Sequence, residues 1–125
     1  MPYITNPIFT EIEKAHLEFI LSYDFSEKSD IIEQLNNIKE AEITRDITPY
    51  YWIMEFRPNG TKPGYDAMRP CIDFEVLHEN GIAPTLFTLY IRNGHVFELE
   101  IHNADSSAID LNSIMNGEIL VNPFL

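Results

Sequence analysis

Two Asn-Gly pairs, Asn80-Gly81 and Asn93-Gly94, punctuate three runs of alternating apolar residues: Cys71 to His78, Thr85 to Arg92 and His95 to His102. Asn-Gly between such runs is the strongest short hairpin signal, because both residues accept the positive φ that a type I′ turn demands. Two hairpins sharing a middle strand commit the C-terminal half to an antiparallel sheet. The rest of the chain must be arranged around it.

The N-terminal half supplies what covers that sheet. Thr10-Glu11-Ile12-Glu13 is a capping box, and Ile12, Ala15, Phe19, Ile20 and Tyr23 recur at helical spacing, which predicts a helix over about 11–22. Asp24 to Glu27 repeats the capping pattern, and Ile31, Ile32, Leu35 and Ile38 form a second stripe that ends near Asn36-Asn37. After Glu40 the period falls to two: Ala41, Ile43, Arg45 and Ile47 alternate with polar neighbours, and Tyr50 to Phe56 is rich in aromatic and β-branched residues. The prolines and glycines of segment 57–70 predict a long loop, and Ile119 to Val121 a short last strand. The expected fold is a single α+β domain over residues 1–125, with two N-terminal helices packed on one face of an antiparallel β-meander of about four to six strands.

Hairpin register decides which side chains share a face. A two-residue loop at Asn93-Gly94 pairs Arg92 with His95, Tyr90 with Phe97, Thr88 with Leu99 and Leu86 with Ile101. For the first hairpin, a two-residue loop would oppose Asp73 to Thr88 and Glu75 to Leu86, setting carboxylates into a mainly apolar face at a cost of several kcal/mol. A three-residue bulged loop at Glu79-Asn80-Gly81 avoids this and opposes Phe74 to Leu86. Under that register Ile72, Phe74, Val76, Leu86, Tyr90, Phe97, Leu99 and Ile101 face the helices. The other face carries Phe87, Leu89 and Ile91 between two acidic rows, Asp73 and Glu75 on one side, and Glu98, Glu100 and His102 on the other.

Most catalytic chemistry finds no foothold in these residues. Glu98 and Glu100 lie about 7 Å apart on a flat strand rather than across a cleft. No two histidines among His16, His78, His95 and His102 have helical ligand spacing, and strand geometry splays Glu98, Glu100 and His102, so neither a metal nor any other cofactor is expected. No nucleophile elbow, dinucleotide fingerprint or phosphate loop occurs, since Pro63 follows the lysine of "NGTKPG". Cys71 is the sole cysteine and reads as a small buried hydrophobe. Twenty Asp and Glu against eight Lys and Arg give a net charge of −12, which argues against nucleic acid and anionic membranes as partners. With no signal-peptide pattern at the N-terminus and no apolar run long enough to span a bilayer, a bacterial-type cytoplasmic protein is expected.

The stretch from Ile72 to Leu111 resembles a widespread bacterial family without an established activity. Its pattern is an acidic strand, an Asp/Asn-Gly turn, an apolar strand, a second turn, then Glu-Leu-Glu-Ile and Ala-Asp-Gly. Here Glu98-Leu99-Glu100-Ile101 and Ala104-Asp105 match, Ser106 replaces the glycine, and Asn93 and Tyr90 stand where aspartate and histidine are usual. In size, charge and helix-then-sheet order the chain is also loosely similar to small acidic immunity proteins of bacterial toxin systems. Neither resemblance implies a catalytic residue.

The expected function is therefore a non-enzymatic, acidic protein-binding module, of immunity-inhibitor type, that covers a basic toxin or enzyme. Its contact face would hold Asp73, Glu75, Phe87, Leu89, Ile91, Glu98, Glu100 and His102, exposed apolar groups rimmed by charge. Homodimerisation through the same apolar row is one alternative. Another is a small-molecule site or cryptic enzyme with a pocket near Trp52, Tyr90 and the 57–70 loop.

Overall fold

The structure, a computed structural model, describes residues 2–57, 68–78, 83–110, 114 and 117–121. Two helices, α1 (Glu11–Leu21) and α2 (Lys28–Asn37), precede a 3-10 turn (Glu40–Glu42) and six strands: β1 (Ile43–Ile47), β2 (Tyr51–Phe56), β3 (Met68–Leu77), β4 (Thr85–Arg92), β5 (His95–Asn103) and β6 (Glu118–Val121). Among the described residues these strands form one antiparallel sheet in the order β1-β2-β5-β4-β3-β6. β3, β4 and β5 are the expected meander, the β1–β2 hairpin adds to the β5 side, and β6 closes the β3 side. The fold is α+β, with both helices on one face of the sheet.

Helix α1 starts where the capping box requires. Thr10 Oγ1 accepts from the Glu13 N–H at 3.2 Å, and Glu13 Oε1 accepts from the Thr10 N–H at 2.9 Å. Its buried stripe is rotated from the expected one: Glu13, His16, Leu17, Ile20 and Leu21 face inward, while Ile12 is 52% exposed. The cause is a long-range pair. Arg45 lies on the helix side of edge strand β1 and donates to Glu13 from Nε (2.6 Å) and Nη2 (3.2 Å), and to Glu40 from Nη1 (2.5 Å). Helix α2 lacks the second expected cap, since Glu27 makes no side-chain capping bond. It buries Ile31 and Leu35 fully, as its stripe predicts. Its last turn is satisfied from the N-terminal segment, where Asn6 Nδ2 donates to the carbonyls of Leu35 (3.0 Å) and Ile38 (2.9 Å).

Residues 58–67 of the expected loop, and the Glu79-Asn80-Gly81 turn itself, lie outside the described residues, but the strand registers are plain and correct the expected one. Asn93 (φ 51) and Gly94 (φ 80) take the positive-φ pair of a two-residue hairpin turn, and Arg92 opposes His95 as expected. Then a bulge intervenes. Ile91 opposes Val96, but Tyr90 opposes Glu98, leaving Phe97 as the extra residue. A shift of one residue exchanges the faces of everything beyond it. Phe87, Leu89 and Ile91 therefore point at the helices with Leu99 and Ile101, and are at most 2% exposed. In β3, Asp73 opposes Thr88 and Glu75 opposes Leu86, the register rejected on the sequence. It is tolerated because Thr88 and Leu86 line the open face of the sheet, so the carboxylates stay half-buried or exposed there.

The core lies between that corrected face and the helices. Phe74 and Phe87 stack at 4.9 Å, and Phe19 of α1 packs on both. At the far end, Thr85 donates to Asn103, whose Nδ2 donates to Ala108 O (2.8 Å) and Ser107 Oγ (3.1 Å), tying residues 104–108 to the sheet. A second bulge, between Pro70 and Ile72, turns Cys71 inward so that Sγ–H donates to Leu89 O at 3.3 Å. Burial pushes that thiol up to about 12. Native protein should react with a disulfide probe at least about a hundredfold more slowly than unfolded chain, measured by release of the probe's chromophore.

Candidate binding surface

The open face reads as rows across the sheet, each set by strand pairing. One row runs Thr44, Glu55, Glu98, Tyr90; the next Asp46, Ile53, Glu100, Thr88, Asp73; the third Tyr51, His102, Leu86, Glu75. Of the residues expected at a contact face, Asp73, Glu75, Glu98, Glu100 and His102 are brought together here. Phe87, Leu89 and Ile91 are not, since they belong to the core on the opposite side. The apolar groups among the carboxylates are instead Ile53, Leu86, Tyr90 and Tyr51. Tyr51 is exposed, and so are Ile47 and Tyr50 at the neighbouring β1–β2 turn.

Sequence reasoning missed the contribution of β2. Alternation through Tyr51, Ile53 and Glu55 places one side chain of each row beside β5, but only the β2–β5 pairing, which joins strands far apart in the chain, sets Glu55 against Glu98. With Asp46 from β1, this makes six carboxylates on one face: Asp46, Glu55, Asp73, Glu75, Glu98 and Glu100.

Their electrostatics centre on Glu98. It is 6% exposed, makes no ion pair among the described residues and lies between Glu55 and Tyr90. Burial first, then the charges of Glu100 and Glu55, push its carboxyl up to about 7, and the protonated form hydrogen-bonds Glu100. Burial and Glu100, to which its hydroxyl also bonds, push Tyr90 up to about 12. Glu55 is held by Arg57 at 2.6 Å. Thr88 donates to Asp73 at 3.2 Å, and Tyr51 donates to Asp46 at 3.3 Å; the Asp46 charge raises the pKa of the Tyr51 phenol. Among the described residues no group of three or more His, Cys, Asp or Glu side chains is placed to hold a metal ion.

Trp52 and Tyr90, named together for a pocket, are separated by the sheet. Trp52 pairs with Ile101 on the helix side and meets His16 edge-on at 4.7 Å, whereas Tyr90 lies on the open face. His16 is buried under α1, and desolvation drives its imidazole down to about 4, so it is neutral at physiological pH. No described helix is long and apolar enough to cross a membrane. No family model, curated protein or solved structure matches the chain.

Proposed function

We propose that the protein is a non-enzymatic binding module whose open sheet face docks a basic protein partner, in the manner of an immunity-type inhibitor. The observation that carries this reading is Glu98. A carboxyl buried beside two others, with no cation on it among the described residues, is unfavourable for the isolated fold, and a partner's Lys or Arg placed over Glu98 and Glu100 would relieve it. The remaining carboxylates supply long-range attraction for a cationic surface, and Tyr51, Ile53, Leu86 and Tyr90 supply contact area at the centre of the rows.

The same face is a poor surface for self-association. Two copies brought together would oppose six carboxylates to six, and the apolar row that a dimer was expected to bury is already covered by the helices. Sedimentation at low ionic strength should find a monomer, and a tight dimer there would oppose this reading.

The direct test is to purify the tagged protein from its native host and measure affinity for any basic protein that accompanies it. Replacing Glu98 and Glu100 together by lysine should weaken that affinity by about a hundredfold or more, and raising salt should weaken the wild type in the same direction. Binding should also weaken as pH falls below about 7, where Glu98 takes up a proton. An affinity indifferent to both substitutions and to salt would refute docking at this face.

A further inference from the structure

Strand β1 ends the sheet. Among the described residues it pairs with β2 on one side and with no strand on the other. The hydrogen bonds at its two ends fix which groups face outward. The Arg57 N–H donates to Glu42 O at 2.7 Å, and the Thr48 N–H to Tyr51 O at 2.9 Å. Bonded and non-bonded pairs alternate along an antiparallel ladder. Thr44 and Asp46 therefore turn their backbone groups towards β2, and Ile43, Arg45 and Ile47 turn theirs away from the sheet. The Ile43 N–H is taken by Glu40 O. The N–H groups of Arg45 and Ile47, and the carbonyls of Ile43, Arg45 and Ile47, have no backbone partner among the described residues.

An open edge of this kind is a template for a further strand, and proteins commonly close it with proline, a bulge or an inward-pointing charge. β1 contains no proline and pairs with β2 without a bulge. Its one cation, Arg45, is neutralised by Glu13 and Glu40 and drawn towards α1. Thr44, Asp46 and Ile47 are exposed. A strand laid along β1 would place alternate side chains beside Thr44 and Asp46 on the open face. There they would prolong the rows that run on to Glu55 and Glu98, and to Ile53 and Glu100. Those positions suit Lys or Arg. The intervening ones fall beside Ile43 and the 40% exposed Ile47, and suit apolar residues. A second copy of the chain is a poor match. β1 paired with itself about Arg45 would set Arg45 against Arg45, and two chains of net charge −12 edge to edge.

We propose that the basic partner adds an extended segment of alternating basic and apolar residues to β1 as a further antiparallel strand, with its Lys or Arg side chains on the acidic face. This rests on the reading of the partner as a basic protein. It gives that partner a backbone hold at the border of the face it covers, where main-chain bonds supply affinity and Asp46 selects the sign of charge.

The peptide acetyl-Lys-Val-Lys-Val-Lys-Val-Lys-amide is the probe, its valines set to oppose Ile43, Arg45 and Ile47. Amide exchange and chemical shifts of isotope-labelled protein read its binding. At saturation the Arg45 and Ile47 N–H groups should exchange with solvent at least about tenfold more slowly. The same peptide N-methylated on its valines keeps its charge but loses the donors that face β1, and should bind about tenfold more weakly or worse. A peptide with Glu in place of Lys should do the same. Ile47→Pro removes an outward N–H without touching a β1–β2 bond, and Asp46→Lys reverses the charge beside the edge. Each should lose about tenfold in affinity for the probe. Arg45 and Ile47 amides left unprotected, an N-methylated peptide that binds equally well, or variants that bind unchanged would overturn the proposal. If the peptide instead moves the Glu98 and Glu100 amides and leaves those of Arg45 and Ile47 exchanging freely, the edge is not the site, while docking on the face stands.

Discussion

Replacing Arg45 by methionine should destabilise the protein by about 3–5 kcal/mol, roughly 10–20 °C in Tm for a domain of this size. Glu13 is 1% exposed, and its carboxylate depends on Arg45 for two hydrogen bonds, at 2.6 and 3.2 Å. Removing the guanidinium leaves a buried charge whose remaining hydrogen-bond donor, among the described residues, is the Thr10 N–H. The pair of acids raises the pKa of Arg45 further, so the guanidinium stays charged wherever the protein folds. The double variant Glu13→Gln/Arg45→Met should recover most of the loss, because a neutral amide keeps the capping bond without the uncompensated charge. Thermal unfolding of the two variants at neutral pH checks both statements. A single variant within about 1 kcal/mol of wild type would mean that Glu13 is not dependent on Arg45.

Glu98→Gln should stabilise the protein at pH 8 by about 2 kcal/mol, once solvent screening is allowed for, and should change how stability responds to acid. The folded carboxyl titrates at about 7 against an ordinary value of 4.5, so between those limits the folded state holds more protons than the unfolded one. This contribution is present in acid and lost as pH rises through 7. His16 works the other way. Its folded value of about 4 lies below the ordinary 6.5, so the unfolded state takes the extra proton and stability falls as pH drops from 6.5 towards 4, by about 3 kcal/mol in full. The two slopes oppose each other between pH 6.5 and 4.5, leaving the wild type nearly flat on their account. Glu98→Gln should therefore lose stability steadily below pH 6.5, and His16→Phe should gain stability from pH 8 down to 5. Denaturant midpoints across pH read both. A Glu98→Gln curve parallel to wild type would show that the carboxyl titrates normally.

Much of the fold was legible because its signals are local. The Thr10–Glu13 box placed the start of α1, and Asn93-Gly94 placed both the turn and the adjoining strand ends, where both central residues adopt positive φ as the dipeptide predicts. What was not legible depends on contacts between distant residues. The inward rotation of α1 follows from Glu13 meeting Arg45 across 32 positions, and nothing near Glu13 marks it as buried. The face assignment turned on one bulge. An unbroken two-residue hairpin put Phe87, Leu89 and Ile91 outside, although they are the more apolar alternate set of β4. The apolar doublet Val96-Phe97 was the available clue, since adjacent apolar residues interrupt an alternation and a bulge there returns Phe87, Leu89 and Ile91 to the side of Leu99 and Ile101. The rule that carboxylates avoid the core was sound. In this sheet Thr88 and Leu86 line the open face, so the register that opposes Asp73 and Glu75 to them keeps both carboxylates out of the core.

The acidic residues nevertheless remain on one surface, because Asp73, Glu75, Glu98, Glu100 and His102 stay mutually in phase when the whole of β4 changes sides. Glu55 and Asp46 extend that surface through a strand pairing that no local pattern announces. The centre of the proposed contact therefore shifts from phenylalanine and leucine to Tyr51, Ile53, Leu86 and Tyr90.

Zero-length carboxylate-to-amine cross-linking of the protein to its co-purified basic partner, read by peptide mass spectrometry, tests docking at this face most directly. Cross-links should fall on Glu55, Asp73, Glu75, Glu98 or Glu100 and disappear when Glu98 and Glu100 are both lysine. Cross-links confined to the helix carboxylates Glu11, Glu18 and Glu33, with the sheet face untouched, would contradict it.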